Sequence, residues 1–393
     1  MLQCLVAAVR PLKVEELAEI LAFDFDAEGI PKLNLDWRWE SQEEAIMSAC
    51  SSLVIIVENG NSRIVQFSHF SVKEFLTANR LAEPVRDVSR YHIRLDAAHT
   101  ILAQACLGVV LGLGDRIDRD KIKSFPLALY AGQHWTTHAQ FETVSSRIKG
   151  GMERLFDADQ AHFAIWLWLY DDEAVLLKSL SSMCPEKPRA VPLYYAAKFG
   201  FRDLAEHLIA ENPDHINARG GSKETPMHVA AGAGHINILS LLLDHGADVD
   251  VRNKNGETPL LRASWAGQRE AGWYLIDRGA DINAPDERNF TPVFVAFKGH
   301  VESARMLLEL GAVIDIRNRY GETPLHQALR WEEIELVRLF LEHGADPNLA
   351  NRYGETPFEM ALRFEEPEIV ELLSEYGGRP VELAVINNND STI

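Results

Sequence analysis

His134 and His138 stand four residues apart in His134-Trp135-Thr136-Thr137-His138. Four residues is one helical turn, and two imidazoles at that spacing could grip a divalent metal. The glutamate that would serve as general base in such a motif is replaced by Trp135, and no third ligand stands nearby, so the pair reads as structural. Glycines gather at Gly108, Gly112 and Gly114, just before Asp115. A phosphate-cradling loop also needs the Lys and Ser/Thr that hold phosphate and Mg²⁺, and neither is present. His228 and His326 each follow a threonine by three residues, which suits a hydrogen bond inside a helix-capping turn. The acidic pairs Asp171-Asp172 and Glu332-Glu333 read as solvated faces, and no Gly-x-Ser-x-Gly elbow occurs. These residues predict a non-catalytic chain with no metal and no cofactor.

Composition sets the frame. A length of 393 residues implies two or three domains, and 47% apolar with 25% charged residues is globular. The 39 Lys+Arg against 58 Asp+Glu give a net charge of −19, which repels nucleic acid and anionic lipid. Cys4, Cys50, Cys106 and Cys184 form no Cys-x-x-Cys, which excludes a disulfide scaffold and a zinc ribbon. A reducing compartment, by default the cytoplasm, is the expectation. The longest nearly apolar run, Ile101–Gly114, contains Gln104 and is too short to span a bilayer. Met1–Val9 lacks a charged leader and a small-residue cleavage site, so no signal peptide is expected.

A repeat governs the C-terminal half. Thr-Pro recurs at Thr225, Thr258, Thr291, Thr323 and Thr356, and glycine at Gly246, Gly279, Gly311, Gly344 and Gly377. The Thr-Pro spacings are 33, 33, 32 and 33. Threonine caps a helix start, proline fits its first turn, and glycine suits the left-handed residue just past a helix end. Each unit therefore reads as helix, turn, helix and loop. The unit of Thr291 is one residue short, and Phe297-Lys298-Gly299-His300 places a shortened turn at the end of its first helix. A degenerate unit starts at Val191-Pro192, with Asn212 expected to take the left-handed position. Met227-His228-Val229-Ala230 and Leu325-His326-Gln327-Ala328 resemble the ankyrin Thr-Pro-Leu-His-x-Ala signature. The resemblance implies about six ankyrin repeats over residues 188–377, forming an α-solenoid, with a disordered tail at 378–393.

The N-terminal half has no repeat. Val14–Phe25 and Glu43–Cys50 read as helices, and Leu53–Val57 and Ile64–Phe67 as strands of a hairpin turning at Asn59-Gly60-Asn61. Ser71-Val72-Lys73-Glu74 reads as a capping box, with Phe70 and Phe75 as its hydrophobic staple. The pattern gives a winged-helix-like domain over 1–90, then a helical connector over 91–187. The whole is mostly α.

Phe67-Ser68-His69-Phe70-Ser71-Val72-Lys73-Glu74-Phe75-Leu76 resembles the segment that follows the NACHT nucleotide-binding domain in fungal NLR-like (STAND-class) proteins. Tyr130-Ala131-Gly132-Gln133-His134-Trp135 resembles the helical stretch leading into their ankyrin arrays. The resemblance implies a C-terminal portion of an oligomerisation switch, with an upstream NACHT domain in a longer gene product. NTPase activity does not carry over, because the phosphate-binding motif is missing. A DNA-binding wing is the third reading, disfavoured because Lys73 and Arg80 are offset by Glu74 and Glu83 in an acidic chain.

The surface expected to bind is the end of each first helix, seven and eight residues after the threonine. It carries Lys198-Phe199, Gly232-Ala233, Trp265-Ala266, Lys298, Arg330-Trp331 and Arg363-Phe364, with Arg262, Gln327 and Met360 one turn earlier. Loop tips add Lys254, Asn255, Arg288, Arg319, Tyr320, Arg352 and Tyr353. Arginine and aromatic residues dominate interface hot spots, so a protein partner is expected, with an acidic segment as the fitting chemistry.

Overall fold

The structure, a computed structural model, describes residues 1–25, 30–38, 41–50, 52–60, 62–78, 92–114, 122–141, 143–157, 160–170, 190–294, 300–364 and 366–380. The chain forms two compact units, Met1–Asn212 and Pro213–Ile393.

In the first unit, α1 (Leu2–Ala7), β1 (Leu12–Lys13), α2 (Val14–Leu21), β2 (Phe23–Asp24), β3 (Lys32–Leu33), α3 (Gln42–Cys50), β4 (Val54–Asn59) and β5 (Ser62–Phe67) come first. The three-stranded antiparallel sheet has the order β1-β5-β4. Its hairpin register runs from Val54↔Phe67 to Asn59↔Ser62, and Gly60 turns it with φ 60°. Leu12, Val14, Leu17, Val54 and Val65 are buried, so the sheet and α2 share one apolar layer.

Two expectations here are corrected. The first helix stops at Leu21 instead of Phe25. Phe23-Asp24-Phe25-Asp26 alternates with period two, and Phe23 pairs with Leu33 in a two-stranded ribbon. The helix α4 (Phe70–Thr77) is capped by His69, whose Nδ1 accepts from the Ser71 backbone N–H at 3.2 Å. Ser71 thus lies inside the helix, and its capping box does not form. Phe70 is 72% exposed and lies tilted against the His69 ring at 4.5 Å, so it staples nothing.

The connector is helical: α5 (Leu95–Gly112), α6 (Ala128–Ala139), α7 (Val144–Arg147), α8 (Lys149–Phe156) and α9 (Ala161–Tyr170). α5 begins six residues before the apolar run and reaches 18 residues, long and apolar enough by composition to cross a membrane. Half of it is buried inside the protein, where it packs on α1 and α6 as a core helix. A Cβ on Gly108 would meet Phe23 at 2.6 Å and the Pro31 carbonyl at 2.7 Å, so this glycine serves close packing. α10 (Pro192–Phe199) and α11 (Arg202–Glu211) complete the unit. Trp135 packs on Trp166 at 5.4 Å and stacks on Phe201 at 5.5 Å, and Trp166 meets Tyr195 edge-on at 5.7 Å. The aromatic richness of the connector is the core beneath the first helix pair. Asn212 has φ −138° instead of the expected left-handed value, because it precedes Pro213 and such residues are held extended.

The second unit is a row of helix pairs: α12 (Pro226–Ala233) with α13 (Ile236–Asp244), α14 (Pro259–Trp265) with α15 (Arg269–Asp277), then α16 (Val301–Glu309), the second helix of the short unit. α17 (Pro324–Arg330) with α18 (Ile334–Glu342), and α19 (Pro357–Phe364) with α20 (Pro367–Glu375), complete it. The turn expected at 297–300 lies outside the described residues except for His300, and 381–393 of the expected tail lies outside them as well. Gly246, Gly279, Gly311, Gly344 and Gly377 all have φ between 84° and 94°, as the period predicts. Leu307, Leu325, Leu336, Phe340 and Leu373 belong to one continuous buried core.

Candidate functional site

Each helix pair is joined to the next by a loop whose first anchor is Asn253, Asp286, Asn318 or Asn351. Asn253 Oδ1 accepts from the backbone N–H of Asn255 at 2.9 Å and of Glu257 at 3.1 Å. Its amide donates to Glu257 Oε2 at 2.7 Å, and Asn318 repeats the pattern onto Glu322 at 3.1 Å. Both glutamates are buried. The loop tips then bond to one another in series. Lys254 N–H donates to the Ser222 carbonyl, Glu287 to Asn255 and Arg319 to Arg288, each at 2.9 Å, and Arg352 to Tyr320 at 3.0 Å. The expected tip residues thus have a backbone held in a ladder, while the side chains of Lys254, Asn255, Arg288, Arg319, Arg352 and Tyr353 stay exposed. Tyr320 is half-buried under the Arg319 guanidinium.

Arginines at the first helices answer the loop glutamates. Arg262 lies 3.2 Å from Glu224 and 3.8 Å from Glu257, Arg330 pairs with Glu322, and Arg363 lies 2.8 Å from Glu355. The lining expected to be cationic is therefore neutralised from within. The sequence signal for these partners is the Asn-x-x-x-Glu period in Asn253-x-x-x-Glu257, Asn318-x-x-x-Glu322 and Asn351-x-x-x-Glu355.

Arg330→Ala should lower the stability of the second unit by about 1–2 kcal/mol, because Glu322 is buried and keeps only Gln327 and Asn318 as side-chain donors. Adding Glu322→Gln should restore most of that loss in urea unfolding. Equal losses in the single and double variants would show that the stranded Glu322 carboxylate is not the source of the loss.

The aromatics of the stripe remain. Trp331 is 46% exposed and Phe364 is 37% exposed, and Trp265 is half-buried at the end of α14. In α12 Gly232 stands at the position of Trp265, where a Cβ would meet nothing within 4 Å, and Ala233 stands at the position of Trp331 and Phe364. Gln327 and Met360 are half-buried and buried respectively. Lys198 and Phe199 belong to the first unit instead: the ammonium sits 5.1 Å above the Tyr170 ring, and Phe199 meets that ring edge-on at 5.6 Å. Lys298 lies outside the described residues.

Three of the four histidines singled out by spacing are accounted for by hydrogen bonds, and the fourth, His134, lies against the Tyr130 ring at 4.8 Å. His326 Nδ1 accepts from the Thr323 N–H at 3.1 Å, and Nε2 donates to the Glu355 carbonyl of the next loop at 3.2 Å. His228 does the same with Thr225 and Glu257. The capping role was expected, whereas the reach to the following loop, 29 residues on, was not visible from spacing. Both nitrogens of His138 are taken, Nδ1 facing His99 Nδ1 and Nε2 facing the Tyr130 hydroxyl, each at 2.9 Å. Among the described residues, no group of three or more His, Cys, Asp or Glu is placed to hold a metal ion. α3, which precedes the hairpin, carries Glu43 and Glu44 but no Lys or Arg, a poor surface for phosphate.

Residues 193–286 and 293–384 match the family model described as ankyrin repeats in three copies. The C-terminal half is an array of ankyrin repeats. A second family model, the winged helix domain of GPI inositol-deacylase, matches residues 1–85, so a winged helix domain opens the chain ahead of the ankyrin array. A Monascus ruber protein, the azaphilone pigments biosynthesis cluster protein L, is 30% identical over 63% of this chain and 55% of its own length. The mouse ankyrin repeat and SAM domain-containing protein 6 is 34% identical over 21% of this chain and 10% of its own length. The chain thus spans about half of the first of these relatives and a tenth of the second. A crystal structure of an ankyrin repeat domain from Acinetobacter baumannii AYE is 30% identical, covers 48% of this chain and 98% of that domain, and superposes with a TM-score of 0.44. The ankyrin array marks this half of the chain as a protein-interaction module.

Proposed function

We propose that the ends of the first ankyrin helices bind a segment of another protein, and that the chain is the recognition half of an NLR-like cytoplasmic signalling protein that makes and breaks no bonds. One observation carries the binding face. Trp265, Trp331 and Phe364 occupy positions that Gly232 and Ala233 fill elsewhere in the array, and two of them are partly open to solvent. Solvent-open aromatic side chains at positions where another repeat carries Gly or Ala are the usual anchors of an interface. Because Glu224, Glu257, Glu322 and Glu355 already answer the arginines, an acidic segment would have to displace carboxylates; the chemistry favours an apolar or aromatic segment with hydrogen-bonding groups. A winged helix followed by a helical connector and ankyrin repeats supports the NLR-like reading and an upstream NACHT partner domain.

Trp331→Ala with Phe364→Ala should leave the circular dichroism and melting temperature nearly unchanged. A partner captured by the wild-type chain should bind the double variant at least tenfold more weakly in titration, the loss of two hot-spot aromatics. Undiminished affinity would remove this face as the site.

A further inference from the structure

The first helices of the array, taken together, are charged in the opposite sense to the second helices. α12, α14, α17 and α19 together carry one carboxylate and three arginines. The second helices α13, α15, α16, α18 and α20 carry ten carboxylates and three arginines. Each second helix ends on an acid, at Asp244, Asp277, Glu309, Glu342 and Glu375, where the helix dipole favours a cation. Asp244 pairs with Arg278 at 3.0 Å, whereas the other four have no cationic partner among the described residues.

Set in this acidic row is one large aromatic. The fifth residue of the second helix is Ser240, Arg305, Arg338 or Glu371 in four repeats and Trp273 in the remaining one. A polar residue is what the fold accepts there, so packing does not call for the indole. Trp273 is 53% exposed. It lines a groove of about 500 Å³ with Ile236, Tyr274 and Met306, rimmed by Glu270 and Glu309. Gly272 keeps the groove wall thin, since a Cβ there would press on Met306 Cε at 3.3 Å. At the rim Arg269 pairs with Glu270 at 3.0 Å and lies 3.8 Å from Glu302, which Arg305 approaches at 3.9 Å.

We propose that this row of second helices is a separate docking surface for a basic amphipathic helix of a partner protein. An apolar residue of that helix seats on Trp273 and Met306, and its lysines or arginines meet Glu309 and the unpaired acids that end the neighbouring helices. A helix ridge fits the groove between packed helices, and the excess of carboxylates selects a cationic ligand and attracts it over distance. An anionic membrane surface is repelled by the same charge.

The probe is a fluorescein-labelled 18-residue amphipathic helix of Leu and Lys, titrated into the full chain by fluorescence anisotropy, with a Leu/Glu peptide of the same pattern as its counterpart. The Leu/Lys peptide should bind and weaken with added salt, and the Leu/Glu peptide should not bind. Trp273→Ala should weaken Leu/Lys binding at least tenfold and Glu309→Gln severalfold, while Trp331→Ala leaves it unchanged. Equal affinity for wild type and Trp273→Ala overturns the proposal, as does loss on Trp331→Ala alone, which would seat the peptide on the first-helix face. The exposed position of Trp273 keeps the variant folded, and a matching melting curve verifies this. The first-helix proposal stands or falls separately, on Trp331 and Phe364.

Discussion

Gly321→Ala is expected to unfold at markedly lower urea than wild type, with about 3 kcal/mol lost from the second unit. Two penalties add. Gly321 has φ 75°, a conformation that costs an L side chain about 1 kcal/mol. A Cβ there would also stand 2.8 Å from the Arg352 backbone nitrogen, which is bonded to the Tyr320 carbonyl in the tip ladder. The clash falls on backbone, so no rotamer change relieves it. Gly344→Ala is the control: φ is 88° but nothing lies within 4 Å of the added methyl, and only the first penalty applies. Urea midpoints of the two variants measure the difference directly. Equal midpoints would mean that the ladder yields at no cost.

Acid should destabilise both units before most carboxylates titrate. Burial lowers the His138 pKa to about 3 and the His326 pKa to about 4, against an ordinary value of 6.5. Each imidazole is therefore neutral in the folded chain and protonates first in the unfolded one. Stability from this source is fully present above pH 6.5 and is lost as pH falls toward the folded values, at about 1.4 kcal/mol per pH unit for each group. Between pH 6.5 and 4.5 the expected loss is about 2–3 kcal/mol per histidine, His138 acting in the first unit and His326 in the second. Asp96 and Asp244, held below the ordinary carboxylate range by Arg94 and Arg278, contribute only at lower pH. Glu19, Asp250, Asp286 and Asp315, raised by burial, offset part of the loss. Urea unfolding at pH 7.5 and 4.5 measures the sum, and His326→Gln should shrink the pH dependence of the second unit. A stability flat across that range would contradict neutral buried imidazoles.

The fold was most legible where one residue type does one job at a fixed phase. Thr-Pro starts and glycine ends each array helix because capping and left-handed geometry depend on the residue and its immediate neighbours. Spacing failed where neighbours in space decided. Phe25 fits the helical period of Val14 and Leu21, yet the alternation after Phe23 pairs with Leu33 and takes the chain out of the helix. His69 instead of Ser71 caps α4, since a histidine nitrogen does what the hydroxyl was expected to do. Asn212 was read without Pro213. At the candidate site, the positions of Arg262, Arg330 and Arg363 were legible, but their charge balance was not, because their partners come from loop glutamates brought close only by the stacking of repeats. Trp273 lies on a second helix, outside the first-helix phase that carries the other aromatics. A register comparison of the fifth residue in each second helix would have found it.

The tip ladder has a consequence for how such a chain can change over generations. Every bond in it links one tip to the next, never to one farther away. Gain or loss of a whole unit therefore leaves each surviving tip with an equivalent neighbour, and the genome can lengthen or shorten the array by duplication or excision without redesigning it. A single-codon insertion inside a tip enjoys no such shelter, since it would displace the rungs that this tip makes to its two neighbours.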